Sequence, residues 1–131
     1  MFSSNLRFKS NLFPVIPGED EKVNPKRYGK KLTEWLAKEL STKGFTIIDV
    51  FSEDFGRVIW VKDDDYRLYV CCGNEDEEID IWVVFVSVEG GRFFNRLFGK
   101  DTRKEKMEKL LSAVRSCLQS ENGITELTEE K

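Results

Sequence analysis

Four short apolar segments follow one another between residues 45 and 88, and only a few residues separate each from the next. Each segment has the length and the β-branched and aromatic content of a single strand; they span 45–51, 57–61, 66–72 and 79–88. Connections this short join antiparallel neighbours, because a parallel crossover needs about a dozen residues. The pattern therefore predicts a four-stranded antiparallel meander. Its last strand is apolar on both faces, which is typical of a central or doubly covered strand.

One amphipathic helix is predicted on each side of the meander. Asn24 has the position of an N-cap, Pro25 that of a first helical residue, and Gly44 that of a C-cap. The apolar stripe of this first helix is Tyr28, Leu32, Trp35, Leu36 and Leu40. Asp101 is predicted to cap the second, whose stripe is Met107, Leu110, Leu111, Val114, Cys117 and Leu118. We predict an α+β fold of order α-β-β-β-β-α, with both helices packed on one face of the sheet.

Two further features concern helices. Four cations near the start of the first helix oppose its macrodipole, and the candidates to compensate them are a partner and the acids at 19–21. The segment RFFNRLFGK, residues 92–100, places its apolar residues at helical spacing and predicts a short amphipathic helical turn.

The chain is predicted to form one domain with an extension at each end. Its 131 residues and 40% hydrophobic content are sufficient for a single core. Residues 1–23 are predicted to be an N-terminal arm, because Pro14, Pro17 and Gly18 interrupt any long element. Residues 24–120 are the α+β domain. Residues 121–131 are an acidic C-terminal tail that could add a short edge strand.

The residues present disfavour several chemistries. Histidine is absent, which removes the most common general base and every nucleophile that histidine activates. Cys71 and Cys72 are adjacent and lack the spacing of structural zinc sites, and neither common glycine-rich phosphate loop occurs. The element order resembles the core of restriction-type nucleases, but no predicted strand carries their acid-x-lysine motif. We predict a non-catalytic protein without cofactor or metal.

Charge and cysteine content bear on location and partners. The 21 basic and 24 acidic residues nearly balance, which argues against bulk attraction to nucleic acid. No run approaches the roughly 18 apolar residues of a membrane span, and the first residues lack the apolar core of a secretory signal. With three cysteines and no disulfide framework, the sequence predicts a cytoplasmic protein.

Acidic side chains crowd the three turns of the predicted meander. The first turn holds Glu53 and Asp54, the second holds the aspartates at 63–65, and the third holds Glu75, Asp76, Glu77 and Glu78. In a meander the first and third turns share one end of the sheet. The second lies at the other end, where we expect cations after the last strand to neutralise it: Arg92, Arg96, Lys100, Arg103 and Lys104.

The first and third turns have no evident local counter-charge. Charged turns often only keep a protein soluble and protect sheet edges. The functional interpretation is a docking surface for a basic partner, made of Glu53, Asp54, Glu75, Asp76, Glu77 and Glu78. Tyr69 and Trp82 would be aromatic anchors for this partner if they face outward.

Five segments resemble a small family of bacterial domains that has no established activity. They are NPKRYGKKLTEWLAKEL, KGF, SEDFG, LYVCCGN and RLFGK, and together they cover roughly residues 24–118. The resemblance implies a domain type and a bacterial source. In size, acidity and fold class the chain also resembles type III secretion chaperones. Those proteins place a helix between strands three and four, for which residues 73–78 leave no room.

The sequence leads to one principal hypothesis and two alternatives. The principal hypothesis is a bacterial protein-interaction domain, such as an immunity protein or inhibitor that docks its acidic sheet end onto a basic partner. The first alternative is a chaperone-like adaptor, as a homodimer, that binds a client through an apolar sheet face. The second is a metal-dependent nucleic-acid enzyme.

Overall fold

The structure is a computed structural model that describes residues 1–91 and 101–130. The described residues form two α-helices, six strands and one short 3-10 helix at Glu19–Lys22. In chain order the α-helices and strands are β1 (Asn5–Ser10), α1 (Lys30–Thr42), β2 (Ile47–Glu53), β3 (Gly56–Val61), β4 (Arg67–Asn74), β5 (Ile81–Glu89), α2 (Arg103–Ser120) and β6 (Ile124–Glu130). The α+β class predicted from the sequence is confirmed.

The sheet has six strands rather than the four predicted, in the order β2-β3-β4-β5-β1-β6 with every pair antiparallel. The meander β2 to β5 is present as expected. The correction lies at the two ends of the chain, because β1 pairs with β5 and β6 pairs with β1. In β1, Leu6 and Phe8 face the core while Arg7 and Lys9 face outward. The segment from residue 1 to 23 therefore supplies a central strand, and the acidic tail supplies an edge strand.

Both helices begin later than predicted. Pro25 precedes α1 by five residues, because Tyr28 donates its backbone N–H to Asn74 and Gly29, at φ 146°, is the residue before the helix. The C-terminal end agrees with the sequence, since Gly44 follows Thr42 and Lys43 at φ 94°. Thr102, not Asp101, directly precedes α2, although Asp101 accepts the backbone N–H of Arg103. The helical turn predicted at 92–100 lies outside the described residues.

The core lies between one face of the sheet and both helices. The stripe of α1 buries Leu32, Leu36 and Leu40, and that of α2 buries all six of its predicted residues. They pack on inward side chains of the sheet, among them Phe8, Ile59, Val70, Trp82, Val84 and Val86. α1 covers β2 and β3, whereas α2 covers β5 and β6. The helices thus occupy one face, as predicted, and neither α1 nor α2 covers the opposite face of the sheet.

Candidate functional site: the acidic end and the outer face of the sheet

The observed topology separates the acidic turns as the meander predicted. Glu53 and Asp54 lie at the β2–β3 connection, and residues 75–78 lie between β4 and β5 at the same end of the sheet. We call this end, made of Glu53, Asp54, Glu75, Asp76, Glu77 and Glu78, the acidic end. The aspartates at 63–65 lie at the opposite end.

The expectation that the acidic end lacks counter-charges is wrong in part. Arg7 of β1 donates to the carboxylate of Glu75, and Lys26 Nζ lies 3.4 Å from Glu77 Oε2. Arg27 donates to the backbone oxygen of Asp76 at 3.0 Å. These cations come from β1 and from the segment before α1, neither of which the sequence placed beside the turns. Among the described residues, Glu53, Asp54 and Glu78 form no ion pair.

The second acidic turn is compensated by a cation that the sequence interpretation did not name. Lys106 Nζ of α2 lies 2.9 Å from Asp63 Oδ1. Burial opposes ionisation of Asp63, but hydrogen bonds from Lys106 and from the backbone N–H groups of Asp65 and Tyr66 lower its pKa below the usual value. Arg103 pairs with Asp101 instead, and Lys104 is exposed. The predicted cations Arg92, Arg96 and Lys100 fall outside the described residues.

A buried asparagine fixes the position of the acidic end. Asn74 Oδ1 accepts the backbone N–H of Tyr28, and its Nδ2 donates to the backbone oxygens of Lys26, Asp76 and Glu78. The β2–β3 turn is tied to the same segment, since Asn24 Nδ2 donates to Asp54 O at 2.8 Å. The segments NPKRYG, SEDFG and CCGN therefore meet at one junction. Their shared role in this chain is to hold the acidic turns in place.

Two glycines allow the close backbone contact at this junction. A Cβ on Gly56, whose φ is 156°, would lie 2.2 Å from Cys72 O. A Cβ on Gly73 would lie 2.6 Å from Phe55 O. No real side chain tolerates such distances, so both positions require glycine and the turn after Phe55 is pressed against β4.

The start of α1 is capped by a carboxylate from the preceding segment. Glu19 is only 7% exposed, and its Oε1 accepts the backbone N–H groups of Gly29 and Lys30 at 2.9 and 3.2 Å. Its Oε2 accepts the N–H of Ile16 at 2.6 Å. The negative charge lies where the helix macrodipole favours it, which explains how the helix tolerates the lysines of its first turn.

The face of the sheet opposite the helices carries a continuous group of aromatic side chains. Phe51, Trp60, Tyr69 and Phe85 project from four adjacent strands, and Phe2 and Phe55 lie beside Phe85 with ring centroids 5.9 Å from it. Tyr69 is 6.2 Å from Phe51 and 6.1 Å from Trp60. We call this group, Phe2, Phe51, Phe55, Trp60, Tyr69 and Phe85, the aromatic outer face. Phe2 is 69% and Phe55 38% exposed, so the described part of the chain leaves this face accessible.

The two predicted anchors have different positions. Tyr69 belongs to the aromatic outer face. Trp82 points into the core at 1% exposure, where its Nε1 donates to Ser10 O at 3.3 Å, so the condition that it faces outward is not met. Sequence reasoning missed Phe2, Phe51, Phe55, Trp60 and Phe85. The available signal was the two-sided apolar character of the last meander strand, in which Phe85 alternates with Val84 and Val86.

An open depression of about 240 Å³ lies within the aromatic outer face. Phe2, Phe51, Phe55, Tyr69 and Phe85 contribute to its walls, and the acidic residues Glu53 and Glu89 line it as well. Cys71 also lines it and is buried, which raises the pKa of this thiol to about 12, with the charges of Glu53 and Glu89 adding to the effect. The thiol stays protonated at neutral pH and is a poor nucleophile.

A second depression of about 310 Å³ lies at the opposite end of the sheet. It contains four lysines, Lys43, Lys62, Lys106 and Lys109, together with Asp63 and Asp64. Although Lys106 is paired with Asp63, the lysines in this lining outnumber the aspartates, and among the described residues Phe45 is its one aromatic residue. The depression on the aromatic outer face is the more distinctive of the two.

Within residues 1–91 and 101–130, no group of three or more cysteine or acidic side chains is arranged to hold a metal ion. No helix in the same ranges is long and apolar enough to span a membrane. Comparison of the chain with family models, with curated proteins and with solved structures gave no significant match.

Proposed function

We propose that this protein is a non-catalytic interaction domain that binds a basic protein partner through its aromatic outer face and the neighbouring carboxylates of the acidic end. The observation that carries this function is the aromatic outer face itself. Both helices pack on the other side of the sheet, and of the six aromatic residues on this face Phe2 and Phe55 are exposed and the other four half-buried. Contiguous exposed apolar surface of this kind is typical of interaction sites, in which aromatic residues supply most of the binding energy.

The charges beside this face favour a basic partner. The acidic end holds six carboxylates, and the cations that contact it from the described part of the chain are three, Arg7, Lys26 and Arg27. Within residues 1–91 and 101–130, Glu53 and Asp54 form no ion pair, and Glu53 also lines the depression of the aromatic outer face. Complementary charge accelerates encounter with a basic surface and selects against acidic ones. The most specific form of this function is an immunity protein or inhibitor that covers a basic active-site cleft.

A second candidate function is an adaptor that forms a homodimer and binds its client through the same face. The exposure of Phe2 within the aromatic outer face favours it, since a contiguous apolar patch on one chain is self-complementary to the same patch on a second copy. Sedimentation velocity separates the two candidates. A monomer at micromolar concentration is the result expected for the principal function, and a dimer that Phe2→Ser dissociates supports the adaptor.

Partner capture followed by direct titration tests the principal function. The immobilised protein is exposed to a lysate, the captured protein is identified and purified, and its affinity is measured by calorimetry at low and high salt. We expect the double variant Glu53→Lys/Asp54→Lys to lose binding, and added salt to weaken binding to the unmodified protein. The matched control is Glu105→Lys/Glu108→Lys, which makes the same charge change on exposed positions of α2.

The control variant should bind as the unmodified protein does. Equal affinity of the Glu53→Lys/Asp54→Lys variant, or affinity that does not respond to salt, would contradict the proposed function. Residues 75–78 are a less suitable target for charge reversal. Glu75 and Glu77 pair with Arg7 and Lys26, so reversing them also disturbs the junction that holds the turns.

A further inference from the structure

We infer that the depression on the aromatic outer face is a receptor for a single cationic side chain, a lysine or an arginine, of the bound partner. This inference rests on the proposed function and names the chemistry of its recognition site. Aromatic walls and two carboxylates around one small depression are the combination that recognises an organic cation.

The arrangement of the rings provides the first argument. Phe85 is central, with Phe2 on one side at an interplanar angle of 69° and Phe55 on the other at 41°. Tyr69 and Phe51 meet edge to face at 89° on the adjoining side of the depression. A cation is attracted to a ring face when it lies within about 6 Å of the centroid. Five rings, those of Phe2, Phe51, Phe55, Tyr69 and Phe85, therefore border one small volume.

The carboxylates provide the second argument. Glu53 and Glu89 come from opposite ends of the sheet, since Glu53 pairs with Gly56 in the β2–β3 register and Glu89 pairs with Arg67 in the β4–β5 register. Their side chains nevertheless line the same depression. Glu53 has no ion pair among the described residues. In the described ranges, the ion pair of Glu89 is a contact of 4.0 Å with Arg67, in which both side chains are about half exposed, so solvent weakens it.

The size of the depression provides the third argument. At about 240 Å³ it is smaller than the pockets of roughly 300–1,000 Å³ that take drug-sized ligands. A lysine or arginine side chain matches it chemically, because the aliphatic stem packs on apolar walls while the charged group reaches the carboxylates. An anion would be repelled by Glu53 and Glu89. A neutral aliphatic side chain would leave both carboxylates beside it without a counter-charge.

Titration with small probes tests this inference on the full chain. The probes are the methyl esters of N-acetyl-lysine, N-acetyl-arginine and N-acetyl-norleucine, the last being the uncharged analogue of lysine. Amide shifts in two-dimensional NMR spectra report the site. We expect the two cationic probes to shift the amides of Phe51, Cys71, Phe85 and Ser87, and the norleucine probe to leave them unchanged.

Two variants and one control complete the test. The isosteric double variant Glu53→Gln/Glu89→Gln should bind the cationic probes about tenfold more weakly, because it removes both charges and little volume. Phe85→Leu should also weaken binding of the cationic probes. Thermal unfolding of this variant confirms that it folds. Glu105→Gln on α2 should bind as the unmodified protein does. Equal shifts with norleucine, or unchanged affinity of the double glutamine variant, would overturn the inference.

The failure of this inference and the failure of the proposed function give different results. If the cationic probes bind as described but no basic protein binds, the cation site stands and the proposed function fails. If a basic protein binds in a manner sensitive to Glu53→Lys/Asp54→Lys but the probes do not bind, the function stands and the site does not. A dimer whose interface buries Phe2 and Phe85 would overturn the inference, because a second copy would then occupy the depression.

Discussion

Replacing Asn74 with alanine should destabilise the protein more than any exposed asparagine replacement. Its Oδ1 accepts one backbone N–H, and its two Nδ2 hydrogens are shared among three backbone oxygens at 2.9 to 3.2 Å. Asn74→Ala thus removes the equivalent of three full hydrogen bonds, each worth about 1 kcal/mol net. We expect the free energy of unfolding to fall by about 3 kcal/mol. For a domain of this length that corresponds to about 10 °C in Tm.

Urea denaturation and thermal unfolding measure this loss, and Asn24→Ala is the matched control. Asn24 makes a single exposed hydrogen bond, to Asp54 O, so its replacement should reduce the free energy of unfolding by at most about 1 kcal/mol. Each variant removes one side-chain amide group, and both amides belong to the same junction. If Asn74→Ala were no less stable than Asn24→Ala, the account of Asn74 as the residue that fixes the acidic end would be refuted.

Three further predictions concern individual groups. Glu19→Ala leaves the N–H groups of Gly29 and Lys30 without their acceptor, so urea denaturation should show a loss of about 1–3 kcal/mol. The pKa of Asp63 is lowered on folding, so its bond with Lys106 stabilises the protein above the ordinary carboxyl pKa of about 4. The stability difference between the unmodified protein and Asp63→Asn should therefore be full at pH 6, shrink as the pH falls below about 4, and vanish at more acidic pH; a difference independent of pH would contradict this. With its pKa near 12, Cys71 should react with iodoacetamide at pH 8 at least ~100-fold more slowly than free cysteine, as measured by peptide mass spectrometry. Alkylation of Cys71 at the rate of free cysteine would show that the thiol is not buried.

Local patterns in the sequence were sufficient for the meander and for the core faces of both helices. Apolar alternation and short turns determine strand order when neighbours in sequence are also neighbours in space. β1 does not meet this condition, since its partner β5 lies more than 70 residues away along the chain. Leu6 and Phe8 alternate with Arg7 and Lys9 as a strand requires, but the prolines that follow favoured an irregular arm. The start of α1 was predicted too early, again because a residue distant in sequence decides it. Asn74 accepts the backbone N–H of Tyr28 and fixes the turn before the helix.

The sequence was sufficient to predict where the acidic residues of the candidate site lie. It was sufficient for only one of its aromatic residues, Tyr69. Turn positions in a meander place Glu53 and residues 75–78 at one end without any tertiary information. Their counter-charges come from β1 and the segment before α1, so they could not be predicted without the six-stranded sheet. Trp82 and Phe85 belong to a strand that is apolar on both faces, and its pattern does not say which face the helices cover. In the structure, the register with β1 and the hydrogen bond from Trp82 to Ser10 O place Trp82 on the face that the helices cover and Phe85 on the opposite face.

Hydroxyl-radical footprinting of the complex with a captured basic partner tests the central claim most directly. Mass spectrometry compares the oxidation rates of Phe2, Phe55 and Tyr69 in the free and bound protein, with Leu12 as the control because it is 46% exposed and lies outside the aromatic outer face. We predict that binding slows oxidation of all three aromatic residues and leaves Leu12 unchanged. Unaltered rates at Phe2, Phe55 and Tyr69 in a saturated complex would contradict the assignment of this face as the binding surface.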